Sequence, residues 1–412
     1  MKKFSKICLA LLTALPMWQA QAANNDPIVL VHGFSGWGRD ELLGYKHWGG
    51  FYDIQEELKA KGHMTYTAVV GPFSSNWDRA AELYAQMTGT CTDYGAAHAA
   101  KFGITRFGRC FAKDVSKNPA YVAGWDANHK VHLLAHSQGA QTSRMLVQLL
   151  EEGSQEERGA SGAAVSPLFQ GGKSGWVRSV STISGANNGT TLGIIVPTLL
   201  PDIVSIVGGI AAVAGVDTGD KKVYDFKLDQ FGLQRNDGES LMDYANRVNN
   251  SSVFKNSKNT ALYDLDPDGA KEINGWVKTR SNVYYFSYSN DATTKGLLTD
   301  YQYPDLSANL FLQPLELALG TYSRNESGKV IIDKSWYQND GITNTISHRG
   351  PFGHPSVNYV AGSVPAKGTW NYMGHWDGWE HFDVIGQLSD KSKTDVLKHY
   401  FDHVALLKTL NY

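Results

Sequence analysis

The pentapeptide Ala135-His136-Ser137-Gln138-Gly139 is where nucleophilic chemistry is most legible in this sequence. It follows an apolar run, VHLLA (131–135), and precedes QTSRMLVQLLEE (141–152), in which Met145, Leu146, Leu149 and Leu150 recur at helical spacing. That pattern reads as strand, sharp turn and helix. Such a turn holds the serine in a strained backbone conformation and needs small neighbours, and Ala135 is small enough to stand for the first glycine of G-x-S-x-G. The bland alternative, a serine that only caps the following helix, does not account for the strand before it. The helix N-terminus also brings a positive dipole and free N–H groups to where an oxyanion would form.

A nucleophilic serine needs a base, an acid that orients the base, and oxyanion donors. In a strand–serine–helix elbow the chain order is serine, acid, histidine, so the partners lie after residue 137. The histidines available are His348, His354, His375, His381, His399 and His403. His399 and His403 fall on a terminal helix and read as surface residues. His381, in the loop Gly378-Trp379-Glu380-His381-Phe382-Asp383, suits a base that must lie over the serine. Asp340, in Gln338-Asn339-Asp340-Gly341-Ile342, follows a strand end and precedes a glycine turn. Asp333, Asp377 and Asp383 are rivals that spacing does not exclude. The Gln138 amide is one oxyanion donor, and the Phe34 amide, after His32-Gly33, is the natural second.

The elements that position these groups point to an α/β fold. Residues 27–31 (PIVLV), 177–183 (VRSVSTI) and 283–288 (VYYFSY) read as buried strands beside 131–135. Residues 73–125 and 187–280, rich in Asn, Asp, Gly and aromatics, read as insertions on one domain spanning 23–412. Residues 1–22 carry Lys2, Lys3 and Lys6, a short apolar run and Ala20-Gln21-Ala22, the pattern of a cleaved signal peptide. Export predicts secretion, extracellular or periplasmic, and a disulfide between Cys91 and Cys110, since Cys8 leaves with the leader. The apolar stretch 192–216 is broken by Pro197, Pro201, Asp202 and Gly208-Gly209, which argues against a membrane span and leaves a core helix pair or a mobile lid. Lys and Arg number 38 against 40 Asp and Glu, without a basic run, so nucleic-acid binding is not expected.

Several long strings carry a family resemblance. They are Pro27 to Phe34 (PIVLVHGF), Gly36-Trp37-Gly38-Arg39, residues 74–80 (SSNWDRA), residues 93–100 (DYGAAHAA), the serine pentapeptide, residues 224–230 (YDFKLDQ) and Asn339-Asp340-Gly341-Ile342. Together they resemble the secreted lipases of Bacillus and Geobacillus, which are related to staphylococcal lipases. The resemblance implies an α/β-hydrolase: a mostly parallel sheet flanked by helices, a helical lid at 192–216, and a small inserted subdomain. It also implies a triad of Ser137, Asp340 and His381 with oxyanion donors Phe34 and Gln138, acting on acylglycerols at a lipid–water interface without a cofactor in the chemistry.

Departures from the family pattern concern two structural metals. The family's zinc ligands are matched by Asp78, His98 and Asp264, but Ile104 stands where a second histidine is needed, and three ligands make a weak structural site. Cys91 and Cys110 lie in the same insertion and are expected to replace the metal as a staple. Near the catalytic histidine, where the family holds calcium, Asp383 replaces Glu, Ser307 replaces Gly, and Leu388-Ser389 replaces Asp-Pro, although Asp390 is at hand. Residues 184–190 (SGANNGT) also differ beside the cleft. Carboxylesterase or polyester hydrolysis, acyl transfer, and a non-catalytic lipid-binding role are the alternatives to acylglycerol hydrolysis.

Overall fold

The computed structural model describes residues 24–199, 224–255 and 257–411; the expected leader and residues 200–216 of the expected lid lie outside them. The strands are β1 (Ile28–Val31), β2 (Thr65–Ala68), β3 (Cys91–Asp93), β4 (Phe107–Cys110), β5 (Val131–His136), β6 (Val177–Ile183), β7 (Tyr284–Asp291), β8 (Thr293–Lys295), β9 (Gln302–Pro304), β10 (Ser356–Asn358) and β11 (Trp370–Asp377). Among the described residues seven of them form one sheet, in the order β10-β11-β7-β6-β5-β1-β2, with every neighbouring pair parallel. Strand order and direction are those of the α/β-hydrolase sheet that the sequence implies.

Parallel strands need crossovers, and these cover both faces. Val29, Leu133 and Val180 point to one face, against Leu83 and Met87 of the helix Asn76–Thr88 and Leu146 and Leu150 of the helix Gly139–Glu152. Ile28, Leu30, Leu134 and Ile183 point to the other, against Ile54, Leu58, Val396, Tyr400 and Val404. The period of two along each strand thus feeds two apolar cores.

Two boundaries and one burial differ from the sequence reading. The helix after the serine starts at Gly139, two residues before the stretch read as helical, and only glycine fits there, since a Cβ would lie 2.3 Å from the Val31 carbonyl oxygen. β7 continues past Tyr288 through polar Ser289, Asn290 and Asp291, because β11 pairs with it as far as Asp377 opposite Asp291. His403 is not a surface residue: it lies on the buried stripe of the helix Lys393–Lys408 with Val396, Tyr400 and Leu407 and is 3% exposed. Its ring nitrogens meet the Tyr288 hydroxyl at 2.8 Å and Ser181 Oγ at 2.7 Å.

Buried histidines predict an acid limit. Burial drives His132 and His403 down to about 3 and His348 to about 4, and holds His32, His47 and His136 well below 6.5. Each is neutral when folded but takes a proton at about 6.5 when unfolded, so its contribution is complete above that pH and is lost as pH falls toward the folded value. Buried Glu82, Asp264 and Glu380, raised to about 7, act oppositely above the ordinary carboxylate range. Melting temperature is therefore expected to fall gently from about pH 6.5 to 4.5, where the carboxylates offset only part of the histidines, and steeply below that window. A scan that compares the wild type with His403→Gln checks the assignment, because removing one such histidine makes the acid slope shallower.

The inserted segment after β2 holds the helices Asn76–Thr88 and Ala96–Phe102 and the β3–β4 hairpin. Cys91 and Cys110 face each other across that hairpin and are joined by a disulfide. Closing a loop of 19 residues' separation restricts the unfolded chain. Reduction is therefore expected to lower stability by about 3 kcal/mol, read as a shift of the urea midpoint with dithiothreitol.

Candidate active site

Ser137 sits between β5 and the following helix with φ +56°, a left-handed conformation that costs a non-glycine residue about 1–2 kcal/mol. Its amide donates to Ile183 O (3.2 Å), and its carbonyl accepts from Ala140 N (3.1 Å) and Ala186 N (3.2 Å), so the turn is held from three sides. Gly33 faces it so closely that a Cβ there would stand 2.5 Å from Ser137 Cβ. That contact brings the chain around Phe34 beside the serine. Neither the Phe34 nor the Gln138 amide hydrogen-bonds to another group among the described residues, so both donors are free.

Asp340 and His381 come together at the ends of two loops. The His381 amide donates to Asp340 O (2.9 Å), and His381 Nδ1 donates to Asp340 Oδ2 (2.7 Å), which leaves Nε2 for a substrate-side proton. The His381 ring lies 4.5 Å from that of His136, the residue before Ser137, and His136 Nε2 donates to His381 O (3.0 Å). Asp340 is fully buried, which opposes its charge. His381 and donors from Ile342 N, Thr343 N, Thr343 Oγ1 and Asn290 Nδ2 nevertheless hold it far below the usual carboxylate range.

The rival residues lie elsewhere. His348 packs on the far side of Asp340, its Nε2 3.5 Å from the carboxylate. It accepts the Asn290 amide proton at Nδ1 (3.3 Å), so its own proton is on Nε2 and goes to Thr343 Oγ1 (2.6 Å). His354 meets Thr279, His375 meets Asp291 and Ser289, and His399 packs on Trp376. Asp333 caps an exposed turn through Ser335 N, Asp377 is exposed, and Asp383 accepts from Glu380 N.

Sequence reasoning gave no role to Arg79. This guanidinium is fully buried under the oxyanion loop, donating to His32 O (2.5 Å), Gly71 O (2.8 Å) and Thr142 Oγ1 (2.8 Å). Burial lowers it to about 10, so it stays charged at neutral pH and fixes the carbonyls that precede Phe34. Its signal was an arginine on a helix whose other turns pack inward.

The residues matching the family's zinc ligands do not fit zinc. His98 Nε2 is turned onto Asp78 Oδ1 (2.9 Å), and Asp78 Oδ2 accepts amide protons from Gln230 (3.0 Å) and Asn259 (2.9 Å). Asp264 Oδ2 accepts Asn76 N (2.5 Å), and Ile104 packs against apolar neighbours. Hydrogen bonds from His98, Gln230 and Asn259 already satisfy the Asp78 carboxylate.

A parallel sheet that presents a strained serine at its centre, beside a histidine–aspartate pair and two free amides, is the framework of the α/β-hydrolase fold. The chain belongs to the family described as "Lipase-like, C-terminal domain", whose model matches residues 24–410. It is 36% identical over 403 residues to lipase 1 of Staphylococcus aureus, covering 95% of this chain and 56% of that one. The chain thus spans little more than half the length of the curated relatives it matches. Among solved structures it is similar to EstA from Clostridium botulinum, with a TM-score of 0.86 and 44% identity over 94% of this chain and 88% of that one. Lipase 1 from Pelosinus fermentans gives a TM-score of 0.84 and 44% identity over 94% of this chain and all of that one.

Proposed function

We propose that the protein is a secreted triacylglycerol lipase that works through Ser137, His381 and Asp340 and an acyl-enzyme intermediate. The carrying observation is the strained Ser137 turn flanked by the His381–Asp340 pair and two unengaged amides. His381 Nε2 takes the Ser137 proton as Oγ attacks the ester carbonyl. Asp340 orients the ring and stabilises the imidazolium, and the Phe34 and Gln138 amides receive the tetrahedral oxyanion. The proton then passes to the leaving alcohol, and water, activated by the same histidine, releases the fatty acid.

An acylglycerol preference rests on the start of the 192–216 segment. The helix Leu192–Leu199 begins beside the site, with Leu192 and Ile195 against Leu312, Leu315 and Leu319 and next to Ile342 and Phe382, the neighbours of Asp340 and His381. An apolar helix there suits a lid that a lipid surface draws open, since lipid then covers its apolar area at about 25 cal/mol per Å². No helix among the described residues is long and apolar enough to cross a membrane. Hydrolysis of soluble esters by the same triad is the second reading. Fatty-acid release from emulsified triglyceride, against a soluble short-chain ester, separates the two.

The same reading makes the inserted segment free of zinc, with the disulfide as its staple. Metal analysis after dialysis against chelator is expected to find no zinc, and a thiol count on denatured mature protein no free cysteine. Bound zinc with two free thiols contradicts it.

A further inference from the structure

The loop carrying His381 is packed into a small polar cavity lined by Asp305, Ser307, Glu380, Asp383, Asp390 and Lys391. The carboxyl groups here outnumber their donors. Asp383 is 2% exposed; its Oδ2 accepts Glu380 N (2.9 Å), while its Oδ1 has no hydrogen-bond partner. Glu316, fully buried, adds a further acid behind Glu380; burial and then the Glu380 charge raise Glu316 to about 9, while burial, with the Asp383 charge adding to it, raises Glu380 to about 7. Such a cluster one residue from the catalytic base needs a positive charge to hold it together.

The family resemblance would supply calcium, but the residues present do not fit it. Calcium takes six to eight oxygens. Leu388 brings no side-chain oxygen, and the Lys391 ammonium already lies 2.6 Å from Asp390 Oδ1 and 3.8 Å from Asp383 Oδ2. The same Nζ stands 5.9 Å above the Trp379 ring. Lys391 therefore reaches both flanks of His381, Trp379 two residues before it and Asp383 two residues after, and its own amide is tied to Ser389 Oγ (2.9 Å). Asp383 in turn fixes the Glu380 amide, directly before the base.

We propose that Lys391 is a built-in cation that positions the His381 loop, so that this hydrolase works without calcium. The charge is covalently attached and cannot be lost to a chelator. It is a single charge held by an ion pair to Asp390 and a ring contact with Trp379, and it faces the buried Asp383 carboxylate as well.

The inference rests on His381 as the base, and its test includes an arm read without catalysis. Melting temperature and turnover of a soluble ester are measured on the full mature chain with excess EDTA or millimolar calcium chloride, for the wild type, Lys391→Met, Lys391→Arg and Lys391→Asp. The wild type is expected to show the same melting temperature and kcat in both buffers and no calcium binding by calorimetry. Lys391→Met loses about 10- to 100-fold in kcat with KM little changed, the scale of a slightly misplaced catalytic group, and Lys391→Arg restores most of it. Lys391→Asp is inactive in EDTA and recovers, with a rise in melting temperature, in calcium but not magnesium. A wild type that loses melting temperature in EDTA and regains it with calcium overturns the proposal, as does a Lys391→Met protein with wild-type kcat. If no variant or wild-type protein turns over ester, the triad reading fails instead, while the melting data still judge Lys391.

Discussion

Alanine at position 137 lowers kcat for ester hydrolysis by about 10⁶-fold, the scale at which serine triads fail when the nucleophile is removed. The substitution deletes one oxygen and leaves the rest of the site in place. Backbone bonds from Ile183, Ala186 and Ala140 hold the turn, not the hydroxyl, and alanine tolerates φ +56° no worse than serine does. The melting temperature is therefore unchanged within about a degree, while the two free amides preserve a residual rate of about 10³–10⁴ over water. Burst kinetics with an activated ester check the assignment, because the wild type releases one equivalent of alcohol before steady state and Ser137→Ala releases none.

Asparagine at position 340 costs about 10⁴-fold in kcat, for a different reason. The amide keeps the shape of the carboxylate but presents an NH₂ group or a neutral oxygen to His381 Nδ1, so the imidazole loses its preferred tautomer and the stabilisation of its positive form. This site adds a stability penalty. Asp340 accepts protons from Ile342, Thr343 and Asn290 besides His381, and an asparagine cannot satisfy them all, at about 1–3 kcal/mol for a buried donor left unpaired. The companion substitution is His348→Gln. Because His348 is neutral, with its proton committed to Thr343, it lies behind the acid and not over the serine. Its loss lowers kcat by less than about tenfold, whereas His381→Gln matches the serine variant. Measuring kcat, KM and melting temperature for these three variants separates the base from its neighbour.

What the sequence made legible follows the strength of local signals. The serine turn combined an apolar strand, small residues and an amphipathic helix, all within one short stretch of chain. β6 was readable to its last residue because its positions, Arg178 apart, are β-branched or small and all of them are buried. β11 was not. Its WNYMGHWD run mixes polar and apolar residues with a register shift near Gly374, and only pairing with β7 makes it a strand. The acid and the base were harder still, since Asp333, Asp377 and Asp383 carry the same chemistry as Asp340, and only tertiary closure brings one of them to His381. Resemblance, not spacing, singled out that pair. Arg79, Glu316, Asn290 and Lys391 escaped because a charged or polar side chain on a helix or loop reads as solvated until its neighbours across the fold are known. His403 escaped for the same reason, as its helix buries one stripe and the histidine lies on it.

Action of a lidded serine site on lipid at an interface is the activity proposed for this chain. It is tested most directly by fatty-acid release from emulsified long-chain triglyceride, set against hydrolysis of a soluble short-chain ester by the same mature protein, with Ser137→Ala as the control. Faster turnover of the emulsion is expected, with a rise in rate as substrate passes its solubility limit and no rate with the alanine variant. Strong hydrolysis of the soluble ester with almost none of the emulsion contradicts it, and makes the helix Leu192–Leu199 a part of an esterase core.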